Sequence, residues 1–154
     1  MCRAWLLALG LLIALPATDP APAVRAHGDH PAPELTINQP WARTTGTRTQ
    51  SAAVYFTLEN AGGADRLIAA STPRAAMTQI HRSYERDGTM VMEQQDGVPV
   101  PEGDTVTFAP GGLHIMMMRL SKPLTEGEHF PLTLTFEHKG DVQIMVTVTG
   151  MAGL

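Results

Sequence analysis

A histidine and three methionines lie close together late in the sequence, in residues 111–118, which read Gly-Gly-Leu-His-Ile-Met-Met-Met. Alternate residues of a β-strand share a face, so His114, Met116 and Met118 would lie on one face and Met117 on the other. Imidazole and thioether groups together form a moderately soft donor set, which suits Cu(I) better than hard cations. The stretch therefore suggests part of a copper site on one face of a strand.

A predicted hairpin brings a second histidine and methionine together. Asp87-Gly88 lies between two strand-like runs, and this dipeptide is typical of a two-residue turn with positive φ at both centres. The resulting register places Ser83 opposite Met92 and His81 opposite Gln94. His81 and Met92 are then diagonal neighbours on one face, so their side chains can reach one ion.

Residues 1–26 have the features of a secretory signal. Arg3 precedes an apolar run at residues 5–15, and Val24-Arg25-Ala26 is a small-residue cleavage site. Cleavage there would start the mature chain at His27 and remove two arginines and Asp19, which changes the formal charge from −4 to about −5. A net negative charge of this size gives no indication of nucleic-acid binding. A retained N-terminal anchor is the alternative for this segment.

The single cysteine, Cys2, precedes the apolar run and would leave with the signal. Its position is unsuitable for a lipoprotein attachment site, which would follow the apolar run. The mature domain would then contain no disulfide and be held together by packing alone. It would also lack the thiolate of a blue-copper centre, which disfavours an electron-transfer protein.

The rest of the chain predicts an all-β fold, an antiparallel β-sandwich of about nine short strands. Short apolar runs alternate with Gly, Pro and Asn, and no helical period persists. A flexible arm at residues 27–33 would precede one domain at residues 34–151. The strands are expected at residues 34–38, 52–59, 66–71, 77–84, 89–94, 105–108, 113–120, 130–138 and 142–149.

The two pairs of candidate ligands have a recognisable spacing. Ten residues separate His81 from Met92, twenty-one separate Met92 from His114, and one separates His114 from Met116. This spacing resembles the signature of the periplasmic copper chaperones of the PCu(A)C type. The similarity covers residues 34–149 and includes the segments Pro-Trp-Ala-Arg at 40–43, Ala-Val-Tyr-Phe-Thr-Leu-Glu-Asn at 53–60, Asp-Arg-Leu at 65–67 and Pro-Gly-Gly-Leu-His-Ile-Met at 110–116. The resemblance implies a cupredoxin-like sandwich that binds one Cu(I) at an exposed site through His81, Met92, His114 and Met116.

The resemblance also implies a function. Family members are non-enzymatic periplasmic carriers, expected here as a monomer without membrane insertion after signal cleavage. They are associated with delivering copper to cysteine-bearing acceptors, namely the copper-centre subunit of cytochrome c oxidase or its thioredoxin-like assembly factors. The sequence contains no nucleophilic triad at a suitable turn and no Gly-rich phosphate loop. The alternative is an extracytoplasmic interaction module whose Met-rich face binds a protein partner.

Four further histidines lie outside this pattern. After cleavage, the α-amine and imidazole of His27, with His30 nearby, would chelate Cu(II), although short His-containing tracts also occur in plain linkers. His129 and His138 fit surface positions at strand ends.

Six further methionines follow the signal, and five of them lie in predicted strands. Met117 and Met145 have apolar neighbours and are expected to fill the core, and the same expectation applies to Met151. Met77 shares the parity of His81, and Met90 and Met118 share the parity of the ligand face. Their roles stay undecided from the sequence.

Overall fold

The described part of the chain forms ten β-strands. The computed structural model describes residues 31–153, and among these no helix has the length and apolar character that crossing a membrane requires. The strands are β1 (Leu35–Arg43), β2 (Ser51–Asn60), β3 (Asp65–Ser71), β4 (Ala75–Arg86), β5 (Thr89–Gln94), β6 (Val98–Val100), β7 (Thr105–Phe108), β8 (Leu113–Leu120), β9 (His129–Phe136) and β10 (Gly140–Thr149). The all-β prediction is confirmed. Strand β6 was not predicted, because Val-Pro-Val is too short to show alternation and contains a proline.

The strands follow one another in the order β5-β4-β8-β7-β2-β1-β10-β9-β3-β6, and β8 also pairs with β2. Most pairings are antiparallel, but β1 pairs with β10 and β7 with β8 in parallel. Near opposite ends of this order, β4 and β3 meet, since the hydroxyl of Thr78 donates to the carbonyl of Ala70. The sheet therefore curls back on itself around one core.

Alternation along each strand separates a buried face from an outer face. On β8, Ile115 and Met117 are fully buried, so the core prediction for Met117 is confirmed. The same prediction is wrong for Met145 and Met151, whose side chains are 55% and 73% exposed. On β10 the buried positions are Val146 and Val148, and Met145 has the opposite parity.

The hairpin between β4 and β5 has the predicted turn. Asp87 and Gly88 have φ values of 51° and 75°, as a two-residue turn with two left-handed residues requires. Ser83 lies opposite Met92, and His81 lies opposite Gln94. The predicted register is therefore confirmed.

Residues 31–33 lie against the loop between β2 and β3. The N–H of Gly63 donates to the carbonyl of Ala32 at 3.2 Å, and a Cβ at Gly63 would overlap the carbonyl oxygen of Pro31. This close approach requires a residue without a side chain. The predicted signal at residues 1–26, together with His27 and His30, lies outside the described residues.

A buried carboxylate joins β3 to the turn between β9 and β10. Asp65 accepts hydrogen bonds from the backbone N–H groups of Arg66, His138 and Lys139 at 2.7, 2.9 and 2.9 Å. Burial acts to raise the pKa of Asp65, but these hydrogen bonds outweigh it and hold the pKa below its ordinary value. The ionised form of Asp65 therefore stabilises the fold.

Candidate metal site

Three adjacent strands, β5, β4 and β8, bring the four predicted ligands to one outer face. His81 on β4 lies directly opposite His114 on β8, and Met116 lies opposite Gln79. Met92 on β5 is the diagonal neighbour of His81. Directly opposed residues share a face, so the four side chains form one continuous group.

The two imidazoles are close enough to share an ion. The ring centroids of His81 and His114 are 5.8 Å apart with an interplanar angle of 75°. With metal–nitrogen bonds of about 2 Å, this separation leaves room for one ion between the rings. Burial, and then the charge of His114, lowers the pKa of His81, which favours the neutral imidazole that metals bind.

Hydrogen bonds select one free nitrogen on each ring. Nδ1 of His114 lies 3.0 Å from the carbonyl oxygen of Gly112, and Nε2 of His81 lies 3.0 Å from Oε1 of Gln79. Both partners are oxygens that accept, so these ring nitrogens donate. The lone pairs then remain on Nε2 of His114 and Nδ1 of His81. Within residues 31–153, the buried Nδ1 of His81 has no hydrogen-bond partner, which fits a nitrogen that binds a metal.

The site is closed on one side and open on the other. His114 is 4% exposed, and the ring of Tyr55 lies 6.3 Å from it, centroid to centroid. Met92, by contrast, is 55% exposed. Another molecule would therefore reach this group of side chains first at Met92.

The structure adds two residues that sequence reasoning missed. Gln79 shares the parity of His81, and this signal could have identified it. Tyr55 reaches the site only because β2 pairs with β8, which places Val54 opposite Ile115. A pairing between strands this distant in sequence leaves no local signal.

The other histidines and Met90 lie outside the four predicted ligands. His129 and His138 are exposed, as predicted. Met90 is 61% exposed on the ligand face of β5, opposite Glu85. Across residues 31–153, no three His, Cys, Asp or Glu side chains are grouped so that they could hold a metal ion. The His and Met face is thus the metal-site candidate in this part of the chain.

Comparison with known protein families finds one family that matches most of the chain. The family model LpqE-like, described as "Putative lipoprotein LpqE-like", matches residues 35–148. The chain belongs to this LpqE-like family. The chain is also 29% identical over 146 residues to "Putative lipoprotein Lxx21020" of Leifsonia xyli subsp. xyli, and the match covers 94% of the chain and 83% of the relative.

Solved structures of PCuAC domains share the fold. The copper-bound PCuAC domain from PmoF2 is 28% identical with a TM-score of 0.65, covering 75% of this chain and 92% of that domain. The apo PCuAC domain from PmoF1 is 26% identical with a TM-score of 0.65, covering 75% and 93%. CuI-DR1885 from Deinococcus radiodurans is 24% identical with a TM-score of 0.60, covering 82% and 85%, and shows the fold alone. The predicted resemblance of the chain to the PCu(A)C type is confirmed. The predicted cupredoxin-like fold is confirmed as well.

Proposed function

We propose that the protein is an extracytoplasmic Cu(I) chaperone that binds one ion through His81, Met92, His114 and Met116. The observation that carries this proposal is the pair of opposed imidazoles, each with a free ring nitrogen, flanked by two thioethers. Two imidazoles and two thioethers suit Cu(I) better than hard cations. The PmoF2 domain, which is similar over most of its length, is a copper-bound structure.

The donor set also favours release to a stronger ligand. Thiolates bind Cu(I) more strongly than imidazole and thioether groups, so transfer to a cysteine-bearing acceptor runs downhill. In each exchange a Cu–thiolate bond forms and a Cu–thioether bond breaks, the thiol proton goes to solvent, and copper stays Cu(I). The exposure of Met92 makes its bond the first to be displaced. The acceptor we propose is an oxidase copper-centre subunit or a thioredoxin-like assembly factor.

We propose a periplasmic location after secretion, as a monomer. The lipoprotein descriptions of the family and of the Leifsonia relative support an extracytoplasmic location. Cys2 lies before the apolar run rather than after it, so we propose release by cleavage of the signal rather than lipid attachment at that cysteine.

An anaerobic Cu(I) titration with a competing chelator tests the proposal. We expect saturation of a tight site at one equivalent, and a weaker site in Met116→Leu because leucine has a similar volume but no sulfur. The matched control is Met145→Leu, which removes an exposed thioether from β10 and should leave the affinity unchanged.

Two results would contradict the proposal. Absence of tight Cu(I) binding would favour the interaction module, since Met90 and Met92 are both more than half exposed and suit a protein-binding face. Equal affinities for the wild type and Met116→Leu would remove Met116 from the ligand set.

Transfer is then measured by mixing the loaded protein with an apo acceptor that carries two cysteines, and we expect the copper to move to the acceptor.

A further inference from the structure

A second group of thioethers lies on the same outer face, further along β4 and β8. Met77 lies directly opposite Met118, and both share the face of His114 and Met116. Met77 is 39% exposed, and Met118 is half-buried. The four ligands of the proposed site do not include this pair.

Met116 lies between the two groups. It is two residues from His114 and two from Met118, which is about 6.6 Å along the strand in each direction. The Cβ atoms of a directly opposed pair such as Met77 and Met118 lie about 4.5–5.5 Å apart. Methionine side chains are unbranched and flexible, so the sulfurs of Met77, Met116 and Met118 can converge on one ion.

The neighbouring strand leaves these sulfurs open. On β2, Ser51 lies opposite Met118 and Ala53 opposite Met116. Both side chains are small, and neither is charged, so they do not cover the thioethers or compete for them. Gln79, opposite Met116, is also neutral. The residues paired with Met116 and Met118 on both neighbouring strands are therefore uncharged.

We propose that Met77, Met116 and Met118 form a second, weaker Cu(I) station, from which the ion moves to the His81 and His114 site. This rests on the proposed function, because it takes that site as the destination. Bonds from copper to the sulfurs of Met77 and Met118 break as bonds to the two imidazole nitrogens and the Met92 sulfur form. Met116 keeps its bond, copper stays Cu(I), and no proton or electron is transferred. A station without imidazole binds less tightly, so the movement runs toward the histidines.

Methyl NMR of the mature protein labelled with [methyl-13C]methionine tests this proposal during an anaerobic Cu(I) titration. We expect the first equivalent to shift the methyl signals of Met92 and Met116. Because that ion occupies the Met116 sulfur, the station itself is measured in His81→Ala, which weakens the destination site, and there Cu(I) should shift the signals of Met77, Met116 and Met118 together. Adding Met77→Leu and Met118→Leu should weaken the Cu(I) affinity of His81→Ala and leave the first equivalent of the wild type unchanged. Leucine preserves the apolar surface, so this result would assign the effect to sulfur.

The control signal is that of Met145, which is exposed but faces Pro131 rather than a second methionine. The proposal is overturned if Met77 and Met118 stay unshifted in His81→Ala through two equivalents, or if they shift only together with this control. Neither result affects the first equivalent in the wild type. Failure of the proposed function would instead appear as the absence of a Met92 and Met116 shift at one equivalent.

Discussion

Gln79 should act as a positioning residue for the copper ligand His81. Its Oε1 lies 3.0 Å from Nε2 of His81, and this contact leaves the lone pair on the buried Nδ1. Partners that orient a metal-binding histidine are typically worth 10–100-fold in affinity. Gln79→Leu removes the acceptor, so we expect the Cu(I) affinity to fall by about 10–100-fold, or about 1.4–2.7 kcal/mol.

A conservative variant separates positioning from packing. Gln79→Glu keeps an oxygen that accepts the same N–H, so its affinity should stay near that of the wild type. Gln94 also lies opposite His81, on the other side, but within residues 31–153 no side-chain hydrogen bond joins the two. Gln94→Leu is therefore the matched control, and we expect little change in its affinity.

Two measurements check this prediction, a chelator competition for Cu(I) affinity and 15N NMR of the imidazoles for the tautomer. Wild-type His81 should carry its proton on Nε2, and Gln79→Leu should show a mixture of tautomers. The reasoning is refuted if Gln79→Leu binds as tightly as the wild type with the tautomer unchanged. It is also refuted if Gln79→Glu loses as much affinity as Gln79→Leu.

Three further predictions concern the fold, each measured by urea denaturation. Met117→Ala should cost about 2–5 kcal/mol, whereas the exposed Met145→Ala should change stability by less than about 0.5 kcal/mol; equal effects would contradict the burial. Asp65→Asn should cost about 1–3 kcal/mol at pH 7. This deficit should shrink as the pH falls below about 4, because the carboxylate of the unfolded wild type takes up a proton there, whereas folded Asp65, whose pKa is lowered, does so only at lower pH; a deficit independent of pH would refute the role of its charge. Gly63→Ala should cost about 1–3 kcal/mol from overlap, while Gly46→Ala, where a Cβ meets only ordinary contacts, should not.

Much of the fold could be predicted from local sequence patterns. All nine strands expected from alternation and turn residues are present, and the Asp87-Gly88 turn placed His81 and Met92 correctly. Such predictions succeed because side-chain alternation and turn geometry act over a few residues. Met145 shows the limit, since its neighbours on both sides, Ile144 and Val146, are apolar and leave the buried face ambiguous.

The donor types, their spacing and the parity of each strand follow from the order of the residues alone. Nothing local could show that β4 pairs with β8, and this pairing places His81 opposite His114. The tertiary structure also decided which ring nitrogens are free and placed Tyr55 beside His114. The physical reason is that pairing between distant strands depends on how the whole sheet closes around its core, whereas alternation and turns depend only on neighbouring residues.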